Sequence, residues 1–181
     1  DDNYKFDIIS EIGKRGILNF NALGGDMVDG GEPTSDMKLR LDRALRKSKQ
    51  SYPTDLLICQ GNHDTGWDYP NDTIRPWQFH NLALNNLENI VTFDVDNHHG
   101  GYYYKDYKNS KIRVVVLNTS DFHSSDGEVV GDLNPLAVHI RQKQFEWFQK
   151  KALNFMDKGE EREGWGVSIL SHAPLAMVDA G

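Results

Sequence analysis

The run Asp55–Gln60 constrains this chain most, because a short, mainly apolar segment bounded by turn-forming residues empties directly into Gly61-Asn62-His63-Asp64. A segment of that length is too short for a stable helix and fits a buried strand. The same layout occurs twice more. Ile17–Leu23 reads as a strand leading into Gly24-Gly25-Asp26-Met27-Val28-Asp29-Gly30-Gly31, and Gly166–Ser171 as a strand delivering His172 within Ser171-His172-Ala173-Pro174. In open α/β sheets, ligands collect in the crevice beyond the carboxyl ends of strands, so three blocks far apart in sequence can meet at one place.

The remaining segments supply helices and a hairpin. Phe6, Ile9 and Ile12 suit one face of a helix over about 4–15, which Gly16 breaks. After Pro33 a second helix is predicted, capped by Thr34 or Ser35, with Met37, Leu41, Ala44 and Leu45 on one stripe. A third helix is predicted over 76–86 and a strand over 90–94. Tyr102–Tyr107 and Lys111–Asn118 flank Asn109-Ser110 as a hairpin. The polar stretch Thr119–Pro135 reads as a long functional loop. A helix follows over 139–158, its apolar side carrying Phe145, Phe148, Leu153 and Phe155 or Met156. Alternating strands and helices around a hairpin give a mixed α/β class. No internal repeat or linker divides residues 1–181, so a single domain is expected.

A domain of 181 residues can remove roughly 70% of its unfolded surface from water, enough for a core without cross-links. The lone cysteine, Cys59, excludes an internal disulfide and reads as a buried, inert thiol. No run approaches the roughly 18 apolar residues of a membrane span, so no membrane partner is expected; no export signal is evident, which says little, and the compartment is left open with a lean to the cytoplasm. A net charge of −7 argues against nonspecific nucleic-acid binding. Bound divalent metals can still attract phosphate to such a protein by reversing the local field. The sequons at Asn71 and Asn118 occur at chance frequency for this composition and carry no weight.

Asp26, Asn62 and His172 offer a carboxylate, an amide oxygen and an imidazole, a mixed oxygen and nitrogen set suited to Mn, Fe, Zn or similar metals. His63 followed by Asp64 suggests a carboxylate-backed general acid or phosphate-oxygen donor. Asp29 reads as a turn residue or a support to the site more readily than as a ligand. His98 and His99 read as surface residues, His80 and His139 as structural, and His123 as a lesser candidate for substrate contact. Trp67 and Tyr69 fit cleft wall and simple packing equally well.

Taken in order, GGDMVDG, GNHD and SHAP resemble three of the five blocks of the calcineurin-like metallophosphoesterase superfamily. GNHD is the most specific, with a chance frequency of about one in a thousand chains of this length. The resemblance runs over nearly the whole chain, with YYYKDY, IRVVVLNTSD and the helix bearing Gln144 and Trp147 similar in character to family members. It implies a four-layer β-sandwich flanked by helices, and two divalent metal ions whose bridging hydroxide hydrolyses a phosphomonoester or phosphodiester. The implied substrate is a phosphate-ester small molecule or a nucleotide. The resemblance makes Asp26 the bridging ligand, Asn62 and His172 ligands of the second metal, and His63 the histidine that assists the substrate or leaving group; Asp64 joins it as a catalytic candidate on the residue reading above.

Two blocks of the family pattern are missing. No DxH precedes Asp26 and no GHxH follows His172, so the first metal keeps Asp26 alone. Truncation at both ends is therefore expected, with the 181 residues inactive by themselves. A non-catalytic protein-binding module that keeps the fold is the alternative, and a nuclease is a weaker third reading.

Overall fold

In the computed structural model, the described residues are 3–16, 19–51, 55–65, 74–86, 92–93, 100–120, 140–156 and 163–175. Trp67, Tyr69, Asn71, His98, His99, His123, His139 and most of the Thr119–Pro135 loop lie outside them.

The short apolar run of β2 forms a strand whose two faces both find apolar partners. Strand β1 (Phe20–Leu23) pairs in parallel with β2 (Asp55–Ile58), with Leu23 opposite Ile58. A second sheet runs in the order β3 (Thr92–Phe93), β4 (Tyr103–Tyr107), β5 (Ile112–Leu117), β6 (Gly166–Ser171). The first three strands are antiparallel neighbours, whereas β6 lies parallel to β5 with Leu117 opposite Ser171. The β4–β5 hairpin turns through a 3-10 segment, Lys108–Ser110, and closes at Lys111, whose φ is 50°.

Side chains along β2 alternate between two apolar clusters and so divide the core. Leu56 and Ile58 face Met37, Leu41 and Leu45 of α2 (Thr34–Ser51), together with Ile74 and Phe79 of α3 (Pro76–Asn86) and the segment before it. Leu57 and Cys59 point the other way, against Tyr103, Val114 and Val116 of the second sheet. On the far face of that sheet, Tyr102, Val115 and Leu117 pack on Trp147 and Ala152. A strand enclosed on both faces reads as a continuous apolar run, which is how the sequence of β2 reads. The N-terminal helix α1 (Asn3–Lys14) contacts α2.

The two sheets are also joined by polar contacts. The Tyr103 hydroxyl accepts the Ile58 N–H at 2.8 Å and donates to the Ile58 carbonyl at 2.7 Å, satisfying the open edge of β2. Lys105 pairs with Asp55 at 2.6 Å, and the Phe20 and Tyr107 rings stack at 5.0 Å.

Three local expectations are corrected. Neither Thr34 nor Ser35 caps α2: the Pro33 carbonyl accepts the Asp36 and Met37 N–H groups, and the buried Thr34 hydroxyl has no partner. The helix expected over 139–158 is described from Gln142 to Trp147 as α4, then widens into a π-turn, Phe148–Ala152. The inward residues are Gln144, Trp147 and Ala152, with Phe148 packed against the same cluster as expected, while Phe145, Leu153 and Met156 are exposed. At the end of that turn the fully buried Arg113 donates to the Ala152 and Asn154 carbonyls at 3.0 Å each and forms a two-pronged pair with Asp106. Its guanidinium lies over the Tyr104 and Phe155 rings. The strand expected over 90–94 is described only at Thr92–Phe93.

Candidate metal centre

Strands β1, β2 and β6 all end at one place. Two glycines allow the loops beyond β1 and β2 to touch: a Cβ on Gly25, where φ is +91°, would lie 2.6 Å from the Gly61 nitrogen, and one on Gly61 would collide with Asp26 Oδ1. Any side chain at either position would separate the blocks. Asp26 itself has φ 53°, a left-handed conformation that a short polar side chain tolerates.

The contact brings three side chains together. Asn62 Oδ1 is 2.9 Å from His172 Nε2, and Asp26 Oδ2 is 3.3 Å from the same nitrogen. Ligands that share a metal at about 2.0–2.2 Å place their donor atoms roughly 3–4 Å apart. The His172 tautomer adds a further constraint. Its Nδ1 lies 2.7 Å from the Gly24 carbonyl, which can only accept, so Nδ1 carries the proton. In the neutral ring, Nε2 then presents a lone pair toward two oxygens that also present lone pairs. A cation relieves that arrangement, as would a second proton on the ring or a half-turn of the Asn62 amide that presents its NH2. The donor set therefore fits a divalent metal, and the residues that would hold it are Asp26, Asn62 and His172. Among the described residues no group of three His, Cys, Asp or Glu side chains could hold a metal, since one of the three donors here is an amide.

His63 sits beside this cluster with its side chain 38% exposed. Its backbone N–H donates to Asp26 Oδ1 at 3.0 Å, fixing the aspartate from the side away from His172. The pairing of His63 with Asp64 needs correction. The carboxylate facing His63 Nδ1 is that of Asp29, at 3.7 Å, and the Gly30 N–H approaches the same nitrogen at 3.5 Å. Asp29 also accepts the Gly31 N–H within its own turn.

Asp64 points inward and is fully buried. Its Oδ2 accepts the N–H groups of Asp26 and Gly61, each at 2.9 Å, and its Oδ1 those of Met27 at 2.8 Å and Val28 at 3.2 Å. Adjacent residues on a 3-10 turn, His63–Thr65, project apart, which is why the neighbour in sequence is not the neighbour in space. Burial pushes the Asp64 carboxyl up to about 6, with the Asp26 charge adding to the rise and the backbone N–H groups opposing it. Burial likewise raises the Cys59 thiol to about 12, as suits an inert core residue.

Sequence reasoning passed over Gly25, Gly61 and the fourfold backbone role of Asp64. The Gly-Asp and Gly-Asn steps were the available signals for the glycines. Asn118, one of the two sequons, is fully buried, with its amide donating to the Gly100 carbonyl at 2.9 Å and accepting the Ser120 N–H at 3.0 Å.

Lone-pair donors are thus gathered from three strand ends in a mixed α/β fold with sheets. The model of one family, the calcineurin-like phosphoesterases, matches residues 6–177, and the chain belongs to that family. No curated protein and no solved structure matches it. The family is one of hydrolases that typically bind divalent metals and act on phosphoesters. Among the described residues no helix is long and apolar enough to cross a membrane.

Proposed function

We propose that this chain carries part of a site which, with the family's DxH and GHxH blocks, hydrolyses a phosphomonoester or phosphodiester, with a phosphate-ester small molecule or a nucleotide as substrate. The observation that carries this reading is the convergence of Asp26 Oδ2, Asn62 Oδ1 and His172 Nε2, with the proton of His172 committed to Gly24. Divalent metals bound there would supply a water nucleophile active at neutral pH and neutralise the charge of the phosphoryl group. His63 stands at the exposed rim and would donate a proton to the leaving oxygen or hold a phosphate oxygen, with Asp29 near its other ring nitrogen. Asp64 would act on substrate only through the backbone it holds.

The three helix-facing and sheet-facing cores support the family's four-layer arrangement of helices, two sheets and helix. A two-metal centre belongs to the same proposal: Asp26 would serve both cations, and ligands for the other metal would come from outside the three residues named. The acidic balance of the chain disfavours a nucleic-acid substrate.

Hydrolysis of p-nitrophenyl phosphate and bis-p-nitrophenyl phosphate in the presence of Mn²⁺ tests the activity. Turnover of either is expected when these residues are joined by the family's DxH and GHxH blocks, and not from residues 1–181 alone; it is expected to fall by about 100-fold or more in His63→Ala with the fold retained, as for loss of a general acid. Mn²⁺ binding without turnover of any phosphoester would favour the non-catalytic module. Undiminished turnover in His63→Ala would remove that residue from the mechanism.

A further inference from the structure

We propose that Thr119 is a positioning residue for His172, and that Gln144 of α4 fixes Thr119 in turn, so that the helix behind the second sheet sets the geometry of the cation site. The proposal rests on His172 being a metal ligand, as argued above.

The register of β5 and β6 is the starting point. The last paired residues are Leu117 and Ser171, and two residues further along each strand lie Thr119 and Ala173. There the backbone ladder has ended, yet the cross-strand hold continues: the Thr119 hydroxyl accepts the Ala173 N–H at 3.1 Å. A side-chain oxygen thus takes the place of a ladder carbonyl, one residue beyond His172. The same loop is closed from its own side by Ser171, whose hydroxyl donates to the Ala173 carbonyl at 2.9 Å. With Ala173 held on both its backbone groups, His172 has little freedom except about its side-chain torsions, and Gly24 fixes the ring.

Thr119 is held with equal care. Gln144, only 1% exposed, behaves like a neighbouring strand toward Asn118: its Oε1 accepts the Asn118 N–H and its Nε2 donates to the Asn118 carbonyl, each at 2.8 Å. Asn118 bonds through its side chain to Gly100 and Ser120. Thr119 and Ser120 are 1% and 2% exposed. Buried hydrogen bonds from α4 to the backbone of Asn118, the peptide link from Asn118 to Thr119, and the part-buried bond from Thr119 to Ala173 therefore connect the helix to the residue after His172. Fixing a metal ligand within about 0.5 Å requires support of this kind from behind.

Mn²⁺ titration by calorimetry, on wild type, Thr119→Val, Thr119→Ser and Gln144→Glu, tests the proposal, with unfolding of the metal-free proteins measured alongside. Valine keeps the shape of threonine and loses the acceptor, so Mn²⁺ affinity is expected to fall about 10- to 100-fold, as for other residues that orient metal ligands. Serine keeps the hydroxyl and is expected to restore affinity close to wild type. Gln144→Glu keeps the acceptor for Asn118 N–H but loses the donor, and a smaller loss of affinity is expected; this variant carries the test if Thr119→Val does not fold. Wild-type affinity in folded Thr119→Val, or in Gln144→Glu where that variant must stand in, would overturn the proposal, as would a serine variant no better than valine. Absence of Mn²⁺ binding in wild type would instead overturn the cation site itself, and this inference with it.

Discussion

Asp64 is the residue whose neighbours in space differ most from its neighbours in sequence. It serves four backbone N–H groups from two loops, and thereby sets where the Asp26 carboxylate stands relative to Gly61 and His63. Replacing it with asparagine would turn one acceptor oxygen into a donor that faces N–H groups. Leaving a buried donor unsatisfied costs about 1–3 kcal/mol. Asp64→Asn is therefore expected to lose about 2–5 kcal/mol in urea unfolding at pH 8, with two amides affected. A loss below about 0.5 kcal/mol, the range of a surface substitution, would show that the loops hold without it. The sequence gives the presence of a carboxylate after His63 but not its direction, because the direction depends on the 3-10 turn that carries both residues.

At the scale of elements, the strands that deliver the site were legible because short apolar runs ending in Gly-rich polar blocks have few other solutions. The helix stripe of Met37, Leu41 and Leu45 was legible for the same reason, with a single period holding throughout α2. Helix α4 was not, since its apolar residues fit an α-helical period that the π-turn interrupts; Trp147 rests on Tyr102 and Tyr104, and Phe145 is left facing out. Contacts between sheets were likewise beyond reach, as no pattern in β4 marks one tyrosine as a partner for the backbone of β2. Tyr103 makes that link, and Tyr103→Phe would strand the Ile58 N–H and carbonyl in the core. The expected cost is about 2–4 kcal/mol. Guanidinium unfolding measures it, and a phenylalanine variant as stable as wild type would mean that the hydroxyl does not join the sheets.

Across the described residues, two sheets and their helices bring three strand ends to a common point, with apolar packing enclosing β2 on both faces. The chain is acidic overall, and its candidate site is itself rich in oxygen donors, so affinity for a phosphate ester depends on cations held there. The central claim is accordingly that Asp26, Asn62 and His172 form a cation site. Its most direct test is isothermal calorimetry of the purified chain with Mn²⁺ and Zn²⁺, repeated on Asn62→Ala and His172→Ala. The expected result is saturable binding by the wild type that weakens at least about 10-fold in each variant, since each removes a ligand and not merely its support. No saturable binding by the folded wild type, or equal binding by all three proteins, would contradict the claim.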